Sequence, residues 1–395
     1  MKKRFLGFAS CTVVALLIVS NWLSAVSVDK RLVAGNNSFG INLFHKIADG
    51  KVDQNVFISP FSISSALAMT CNGAAGTTEA AMRDTLGLKG MTVDQINSGN
   101  LALARSFKRA SSKIELNSAN SLWAREGYPI RREFVGRAEK YYDAKVSGLK
   151  GAPGTINSWV KQHTKGKITK IVDKVDPLSV LFLVNATYFK GDWARKFEKA
   201  RTTDGAFHIS STKTKNVPMM WQSGDHEYFK TDSFEALRLP YGDKSVSMYI
   251  FLPDAKSDLK SFYKGLTPKN WDSWMGKFRN KKVEIAVPKF KAEWGGNLNE
   301  PLKALGMGDA FMGGRHNFSK MTSVADVYVY AVMHKSFVQV DEEGTTAAAA
   351  TSVEMRMKGK PMAPPIMIVN RPFFCAIRHD ATGEILFMGT VANPQ

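Results

Sequence analysis

The sequence is poor in cysteine and lacks the common signatures of catalytic and metal sites. Only 3 cysteines occur among 395 residues, and none forms a Cys-x-x-Cys pair. There is no Gly-x-Ser-x-Gly elbow, no Gly-rich phosphate loop and no Walker sequence. His226-Glu227 lacks the second histidine of a zinc-protease motif, and the 7 histidines are scattered without metal-ligand spacing. We therefore expect neither an enzyme nor a metal protein.

Linkers and repeats are also absent. No Pro/Gly/Ser-rich stretch or low-complexity run divides the chain, and no segment repeats. Although 395 residues would allow two or three domains by length alone, the uninterrupted pattern predicts one large domain over residues 28–395.

The N-terminus has the composition of a targeting segment. Three cations, Lys2, Lys3 and Arg4, precede an apolar run over residues 5–19, and small residues follow at Ala25 and Ser27. The run is too short for a dependable membrane span, and no later run is longer. These features predict a signal peptide over residues 1–27, secretion to the extracellular space, and no membrane anchor.

Removal of this segment would leave two cysteines. Cys11 lies in the predicted signal peptide, so Cys71 and Cys375 remain. A domain of this size buries enough surface without disulfides, which favours two buried free thiols, although the sequence leaves a single bridge open.

Acidic residues are few. The formal charge is +19, and residues 101–170 alone carry 15 Lys/Arg against 5 Asp/Glu. Within this region Arg105, Lys108, Arg109 and Lys113 follow one another at nearly helical spacing. Most such clusters are solvated faces, but an excess of this size also attracts acidic polymers. For a secreted protein we expect a sulfated glycosaminoglycan as partner rather than nucleic acid.

An unusual stretch lies near the C-terminus. Residues 327–340 form an apolar, β-branched and aromatic run, and residues 344–353 then carry no charge, no proline and almost no bulk. Read with period two, alternate small residues fall on one face, as in a half-buried strand. A flexible linker or an Ala-rich helix is the alternative interpretation.

Several ordered motifs resemble one protein family. Glu342-Glu343-Gly344 and the Thr/Ala run after it resemble the reactive-centre hinge of inhibitory serpins. Matches to the same family, in the same order along the chain, are residues 57–69 (FISPFSISSALAM), 185–191 (NATYFKG) with Trp193, 217–220 (VPMM), 370–374 (NRPFF) and 389–394 (GTVANP). The resemblance covers roughly residues 36–395. It implies an α+β single-domain fold with three β-sheets, about eight or nine helices and an exposed reactive-centre loop at about residues 342–365.

The resemblance also implies roles for individual residues. The hinge would comprise Glu342, Gly344, Thr345, Ala347, Ala349 and Thr351. The shutter and breach, which hold the main sheet closed, would comprise Ser59, Ser62, Asn185, Trp193, Lys289 and His334. From the residues alone, purely structural roles explain these positions as well as the shutter does. Ser59 would cap a helix, and Ser62 and His334 would be core residues whose polar atoms are hydrogen-bonded. The helix that binds heparin in some serpins would hold Arg105, Lys108, Arg109 and Lys113, and seven cations between residues 131 and 167 are candidates to extend that patch.

The function implied by the resemblance is irreversible, suicide-substrate inhibition. The scissile bond of such inhibitors lies fourteen residues beyond the hinge glycine, which gives Lys358-Gly359, with Arg356-Met357 as the alternative. Either bond predicts a covalent complex with a trypsin-like serine protease. We expect a monomer that needs no cofactor, with a heparin-like glycosaminoglycan as candidate activator and no nucleic-acid or membrane partner. The alternatives are a non-inhibitory serpin (carrier, chaperone or storage protein) and a chiefly glycosaminoglycan-binding protein.

Local patterns predict further features. Apolar spacing predicts a helix over residues 36–50 that is capped by Asn37 or Ser38, and an amphipathic helix over 155–172 with a turn at Gly166. Two sequons predict glycosylation, at Asn36 and Asn317.

Overall fold

The computed structural model of the chain describes residues 28–108, 113–176, 179–314, 317–344 and 364–394. Nine α-helices occur in these ranges: α1 (Lys30–Ala48), α2 (Pro60–Cys71), α3 (Gly76–Thr85), α4 (Val93–Lys108), α5 (Arg132–Tyr142), α6 (Gly154–His163), α7 (Leu259–Gly265), α8 (Pro268–Met275) and α9 (Asn299–Leu302).

Fourteen strands occur in the same ranges: β1 (Val56–Ile58), β2 (Ile114–Ala124), β3 (Lys145–Gly148), β4 (Leu181–Gly191), β5 (Thr202–His208), β6 (Thr214–Lys230), β7 (Phe234–Tyr241), β8 (Val246–Pro253), β9 (Arg279–Pro288), β10 (Phe290–Asn297), β11 (Val329–Val340), β12 (Ile366–Ile368), β13 (Phe373–His379) and β14 (Ile385–Val391).

The strands form two hydrogen-bonded sheets in the described part of the chain. A five-stranded sheet has the order β10-β11-β4-β2-β3, and a nine-stranded sheet has the order β1-β14-β13-β8-β7-β6-β9-β12 with β5 paired to β6. The 17-residue β6 pairs with β5, β9 and β7 in turn along its length. This continuity joins two of the three predicted sheets into one, and the α+β class and the helix number are confirmed.

The five-stranded sheet is covered on both faces. Nearly every residue of β4 is buried, and its side chains alternate between two clusters. Phe182 packs with Trp159 and Val160 of α6, whereas Leu181 and Leu183 join the larger core that contains α2. Strand β4 therefore lies in the middle of the molecule, with α6 in front of the sheet and α2 behind it.

Helix α2 begins as the sequence predicts. Ser59 is its N-cap, with the Ser62 backbone N–H donating to Ser59 Oγ at 3.3 Å, and Pro60 occupies the first turn. Every residue of α2 is buried, because the helix passes between the two sheets. Its N-terminus thereby places Ser59 and Ser62 beneath β4 and β11.

Helix α1 starts earlier than predicted. It begins at Lys30, where Asp29 caps it by accepting from the Arg31 backbone N–H at 2.9 Å. Asn37 lies partly buried in the second turn of the helix and bonds instead to the β13–β14 turn, by donating to the Gly383 carbonyl and accepting from the Ile385 N–H. The predicted cap at Asn37 or Ser38 is therefore wrong, because both residues lie within α1 and the Asn37 amide bonds to a distant turn.

The predicted glycosylation sites lie in unfavourable surroundings. Asn36 is 1% exposed, and its Nδ2 donates to Glu384 Oε1 at 3.0 Å. A glycan on that nitrogen has no room in the folded chain, which corrects the prediction at Asn36. Asn317 is partly exposed, but its Nδ2 donates to the carbonyls of Asp309 and Met312, and a glycan would disrupt both bonds.

Helix α6 is shorter than predicted. It ends at His163, and Lys165 and Gly166 follow with φ of 51° and 78°. This left-handed pair stops the helix, so residues 167–172 are not helical. Among the described helices, none has the length and apolar character to span a bilayer.

Both remaining cysteines are free and buried. Burial raises the pKa of the Cys71 thiol and of the Cys375 thiol to about 12. The prediction of two free thiols is confirmed, and neither is a reactive nucleophile.

Candidate hinge and sheet-opening site

Strands β4 and β11 are direct, parallel neighbours. Their register runs from Leu181 opposite Val329 to Phe189 opposite Val338, with Asn185 opposite His334. No other described strand lies between them. Parallel strands are joined by long connections rather than by tight turns, so β4 and β11 can separate without breaking the chain. This seam is therefore the place where a sixth strand could enter the five-stranded sheet.

A buried polar cluster holds the seam at its middle. His334 is fully buried, and its Nε2 accepts the Ser59 backbone N–H at 3.2 Å. The proton of the ring is therefore on Nδ1, which donates to Asn185 Oδ1 at 2.5 Å. Burial lowers the pKa of His334 to about 3. The imidazole is neutral at physiological pH, and both of its nitrogens are satisfied.

Asn185 extends this cluster to the neighbouring elements. Its Nδ2 donates to Ser62 Oγ of α2 and to Asn120 Oδ1 of β2, each at 2.5 Å. Asn120, Asn185 and His334 form one row across β2, β4 and β11. We call Ser59, Ser62, Asn120, Asn185 and His334 the shutter cluster. It ties three strands to the start of α2, so separation of β4 from β11 must break the bond between Asn185 and His334.

The end of β11 is folded back against the end of β4. The Trp193 N–H donates to the Glu343 carbonyl at 2.9 Å, and the Trp193 indole N–H donates to the Asp341 carbonyl at 2.9 Å. Trp193 also stacks on Tyr241 with ring centroids 4.3 Å apart. The indole thus fixes residues 341–343, which lead into the predicted loop.

Gly344 is required at this point by its conformation and its contacts. Its φ is 122°, and a Cβ atom there would lie 2.2 Å from the Gly191 carbonyl oxygen and 2.5 Å from the Trp193 nitrogen. Both neighbours are backbone atoms that cannot move aside independently. The glycine therefore allows the chain to turn directly over the end of β4.

Two buried carboxylates directly precede Gly344, and each forms an ion pair with at least one lysine. Glu342 lies 2.9 Å from Lys289 Nζ and also accepts from the Thr202 hydroxyl. Burial acts to raise the pKa of Glu342, but the hydrogen bonds from Lys289, the backbone and Thr202 outweigh burial, and this pKa lies below its ordinary value. Glu343 is paired with two lysines, at 2.7 Å from Lys196 Nζ and 3.0 Å from Lys199 Nζ.

We call Trp193, Lys196, Lys289, Glu342, Glu343 and Gly344 the hinge pocket. The structure brings the predicted members Trp193, Lys289, Glu342 and Gly344 together at one end of the seam. Sequence reasoning missed Glu343 with its lysines, and it missed Asn120 in the shutter cluster. The one signal in the sequence for the ion pairs of Glu343 was the presence of two lysines, Lys196 and Lys199, shortly after the motif residue Trp193.

Other predicted residues lie outside the described part of the chain. These are the loop residues Thr345, Ala347, Ala349 and Thr351, the two alternative bonds Lys358-Gly359 and Arg356-Met357, and Arg109 of the basic cluster. Their roles stay predictions.

The basic region divides into two surfaces. Arg105 and Lys108 are exposed on α4, which packs on α5 in the larger core. Lys161, Lys165 and Lys167 are exposed beside α6, on the opposite face of the five-stranded sheet. The predicted extension therefore holds at most for Arg131, Arg132, Arg137 and Lys140 of α5, since the sheet separates the α6 lysines from α4.

The shutter cluster predicts a dependence of stability on pH. The folded pKa of His334 lies near 3 and the unfolded pKa near 6.5, so the unfolded chain alone binds this proton between these values. Stability is full above about pH 6.5 and is lost as the pH falls. We expect the free energy of unfolding of the wild type, relative to that of a His334→Gln variant, to fall by about 2 to 3 kcal/mol between pH 7.5 and 4.5.

Urea denaturation of both proteins at several pH values measures this difference. His226 and His379, whose pKa values burial also lowers, are present in both proteins and cancel. A difference that does not change with pH would contradict the assignment of a neutral, buried His334.

The hinge pocket predicts a strong effect of one added methyl group. We expect Gly344→Ala to lower the free energy of unfolding by about 2 to 4 kcal/mol, because the left-handed φ and the backbone contacts both oppose a Cβ. Gly136→Ala is the matched control, since Gly136 lies within α5 with no atom within 4 Å of its added Cβ. The control should be slightly stabilised. Equal melting temperatures for the two variants would argue against the described hinge.

Comparison with known proteins identifies a family for the whole arrangement. The family model described as Serpin (serine protease inhibitor) matches residues 34–394. Leukocyte elastase inhibitor of Sus scrofa is 36% identical over 92% of this chain and 100% of its own length. Serpin B8 of Homo sapiens is 36% identical over 92% of this chain and 99% of its own length.

Solved structures give the same result. The thermophilic serpin tengpin in its native state matches with a TM-score of 0.85 at 32% identity, over 93% of this chain and 95% of that one. Human thyroxine-binding globulin complexed with thyroxine matches with a TM-score of 0.85 at 28% identity, over 93% of this chain and 99% of that one. Native protease nexin-1 with heparin matches with a TM-score of 0.84 at 30% identity, over 92% and 100%.

The comparison with curated relatives also corrects the predicted localisation. Leukocyte elastase inhibitor is matched over its entire length by 92% of this chain, and the family match begins at residue 34. These relatives thus lack a counterpart of the N-terminal segment from which secretion to the extracellular space was predicted. On this comparison that prediction is wrong.

The family match spans nearly the whole described chain, and it includes both strands of the seam and the hinge pocket. Together with relatives that are 36% identical over their full length, it establishes that this chain belongs to the serpin family of serine protease inhibitors.

Proposed function

We propose that this chain inhibits trypsin-like serine proteases as a suicide substrate, with Lys358-Gly359 as the scissile bond. The observation that supports this proposal most is the hinge. Gly344 lies at one end of a seam between two directly paired parallel strands, and the next residues in the sequence are small and uncharged up to Val353. Such residues can enter the seam without steric or desolvation penalties.

The chemistry begins as ordinary proteolysis. Lys358 would occupy the acidic specificity pocket of a trypsin-like protease. The protease serine attacks the Lys358 carbonyl, the bond to Gly359 breaks, and the Lys358 carbonyl remains as an ester on the serine. In a normal substrate, water would then hydrolyse this ester.

Insertion of the cleaved segment would prevent that hydrolysis. Residues 345–358 would separate β4 from β11 and enter between them as a new strand. Fourteen extended residues span about 46 Å, so the tethered protease would travel a comparable distance. At roughly 1 kcal/mol for each new hydrogen bond, the ladder supplies on the order of 10 kcal/mol, which is comparable to the whole stability of an ordinary domain. This is enough to distort the protease active site.

A carrier function is the competing proposal within the family. The similarity to thyroxine-binding globulin with bound hormone shows that members of the family also bind small molecules. The hinge sequence favours inhibition here, because an inserting segment must lack bulk, charge and proline, and residues 345–353 lack all three.

Incubation with trypsin tests the inhibitor proposal. We expect an SDS-stable complex of this protein with trypsin, and we expect Lys358→Ala to reduce its rate of formation at least tenfold while Arg356→Ala leaves it nearly unchanged. Lys358 enters the specificity pocket in the proposed reaction, whereas Arg356 lies two residues before the bond.

A hinge variant tests the insertion step separately. Thr345→Arg places a charged chain at the first inserting position, so we expect cleavage after Lys358 without a stable complex. A complex that forms equally well with this variant would rule out insertion as the trapping step. Cleavage of the wild type without any complex would instead favour the carrier function.

A second candidate function is the binding of sulfated polyanions by α4. The specific observation is the exposed pair Arg105 and Lys108. Among the residues that the structure describes, the acidic partner of Lys108 is the exposed Asp143, at 3.3 Å. Exposed pairs of this kind contribute little, so both cations are available to an anionic polymer. The structural similarity to native protease nexin-1 with heparin supports the binding of a sulfated polyanion, and a heparin-like polymer is the candidate activator.

Heparin chromatography distinguishes the two basic surfaces. We expect Arg105→Ala/Lys108→Ala to reduce the slope of log affinity against log salt by about 2, since each cation releases about one counterion. Lys161→Ala/Lys165→Ala removes the same charge from the opposite face of the sheet and should leave binding nearly unchanged. If the α6 variant loses more affinity, the binding surface has been assigned to the wrong face.

A further inference from the structure

Glu384 is a fully buried carboxyl group that the proposed function does not use. It directly precedes β14 in the turn after β13, and none of its surface is exposed. The Asn36 side-chain amide donates to Oε1 at 3.0 Å, whereas Oε2 has no hydrogen-bond partner among the described residues. No cation of the described chain forms an ion pair with either oxygen. An ionised carboxylate here would have one neutral donor and no opposite charge.

A carboxyl group in such surroundings retains its proton. Transfer of an ionised carboxylate from water into the protein interior is far more costly than transfer of the neutral acid. A single amide donor does not offset that cost. Burial therefore raises the pKa of Glu384 well above its ordinary value, and the hydrogen bond from Asn36 acts in the opposite direction without cancelling this effect.

Charged groups on the surrounding elements do not supply the missing opposite charge. The His379 N–H donates to the Glu384 carbonyl at 2.9 Å, but burial lowers the pKa of the His379 ring, and its Nδ1 is bonded to Thr382 Oγ1 at 2.8 Å. Arg378 alternates to the other face of the hairpin, where it pairs with Asp380. The charged side chains of the two helices nearby, α1 and α4, are exposed: Lys30, Arg31, Lys46, Asp94, Arg105 and Lys108.

Two asparagines of α1 hold the hairpin at Glu384 and on both sides of it. Asn37 Nδ2 donates to the Gly383 carbonyl at 2.9 Å, and Asn37 Oδ1 accepts from the Ile385 N–H at 2.9 Å. Together with the bond from Asn36 to Glu384, three consecutive residues of the hairpin are bound to two consecutive residues of α1. We call Asn36, Asn37, Gly383, Glu384 and Ile385 the α1 latch. Glu384 is its titratable member.

Strand β14 connects the α1 latch to the shutter cluster. Leu386, two residues after Glu384, accepts from Ser59 Oγ at 2.6 Å. The Ser59 N–H in turn donates to His334. A displacement at the start of β14 would therefore move the acceptor that holds Ser59 in place beneath the seam.

We propose that Glu384 holds a proton that keeps the α1 latch closed, so that the latch is strongest in acid, weakens as the pH rises and thereby loosens the support of Ser59. The carboxyl of an unfolded chain titrates near pH 4.3. Because the folded pKa is higher, the stabilisation is complete below about pH 4.3 and is lost as the pH rises through the folded pKa. This sign is opposite to that of His334. The latch does not depend on the proposed inhibitory function, since it concerns the native fold alone.

Infrared difference spectroscopy detects the proton directly. At about pH 6 an exposed glutamate is ionised. We expect the spectrum of the wild type minus that of Glu384→Gln to contain the C=O stretch of a protonated carboxyl group at this pH. Asn36→Leu removes the amide donor and should shift this band to the higher frequency of an acid without a hydrogen bond, which keeps the test usable if Glu384→Gln does not fold. A carboxylate band in place of the acid band would overturn the proposal.

Urea denaturation measures the effect of the proton on stability. We expect the unfolding equilibrium constant of the wild type, relative to that of Glu384→Gln, to increase at least tenfold between about pH 5 and about pH 8, because each pH unit between the unfolded and the folded pKa contributes a factor of about ten. Glu133→Gln is the matched control, since Glu133 is an exposed carboxylate that pairs with Arg137 on α5. Its ratio to the wild type should change much less. A Glu384→Gln ratio that is constant with pH would refute the latch.

A double-mutant cycle tests the connection to the shutter cluster. Ser59→Ala removes the hydroxyl that bonds to Leu386. If the latch supports Ser59, the combined change in the unfolding constant of Ser59→Ala/Glu384→Gln at about pH 8 should differ at least twofold from the product of the two single changes. Equality with that product would confine the latch to α1 and the hairpin, and would overturn the proposed loosening of Ser59.

Discussion

The direct contact between β4 and β11 is the constraint on which the other features depend. It is held at its centre by one neutral imidazole, whose two nitrogens bond to Ser59 and Asn185. A buried group with both sites satisfied contributes to stability, but loss of either partner leaves an unpaired polar atom in the core. Separation of the strands would break one ladder of hydrogen bonds, whereas a single inserted strand would form two.

The hinge pocket acts mainly by position. Glu342 and Glu343 are buried charges, and their lysine partners only offset the cost of removing them from water. Their effect is to fix the last residues before the predicted loop against the end of β4, where Gly344 turns over the Gly191 carbonyl. Insertion of the residues that follow Gly344 would have to open the pocket at the end of the seam and the shutter cluster at its middle, so both oppose the same movement.

Local sequence signals predicted local structure well. The strand, turn and helix around Ser59-Pro60 follow from capping and proline chemistry, and the resemblance assigned His334 and Asn185 to one site. The sequence could not supply pairings that tertiary contacts create. Asn37 bonds to a distant turn instead of capping α1, and Lys196 pairs with Glu343, 147 residues away in the sequence. The sheet also separates basic residues of α4 and α6 that belong to one basic region of the sequence. The first two of these misses each concern a polar group whose partner is remote in the sequence.

The sequence likewise does not reveal which contacts would select one protease over another, because such contacts depend on the folded surface. A cationic residue before the scissile bond satisfies the specificity pocket of every trypsin-like protease, so it provides affinity without discrimination. Discrimination requires contacts outside that pocket, on a surface that the bound protease reaches.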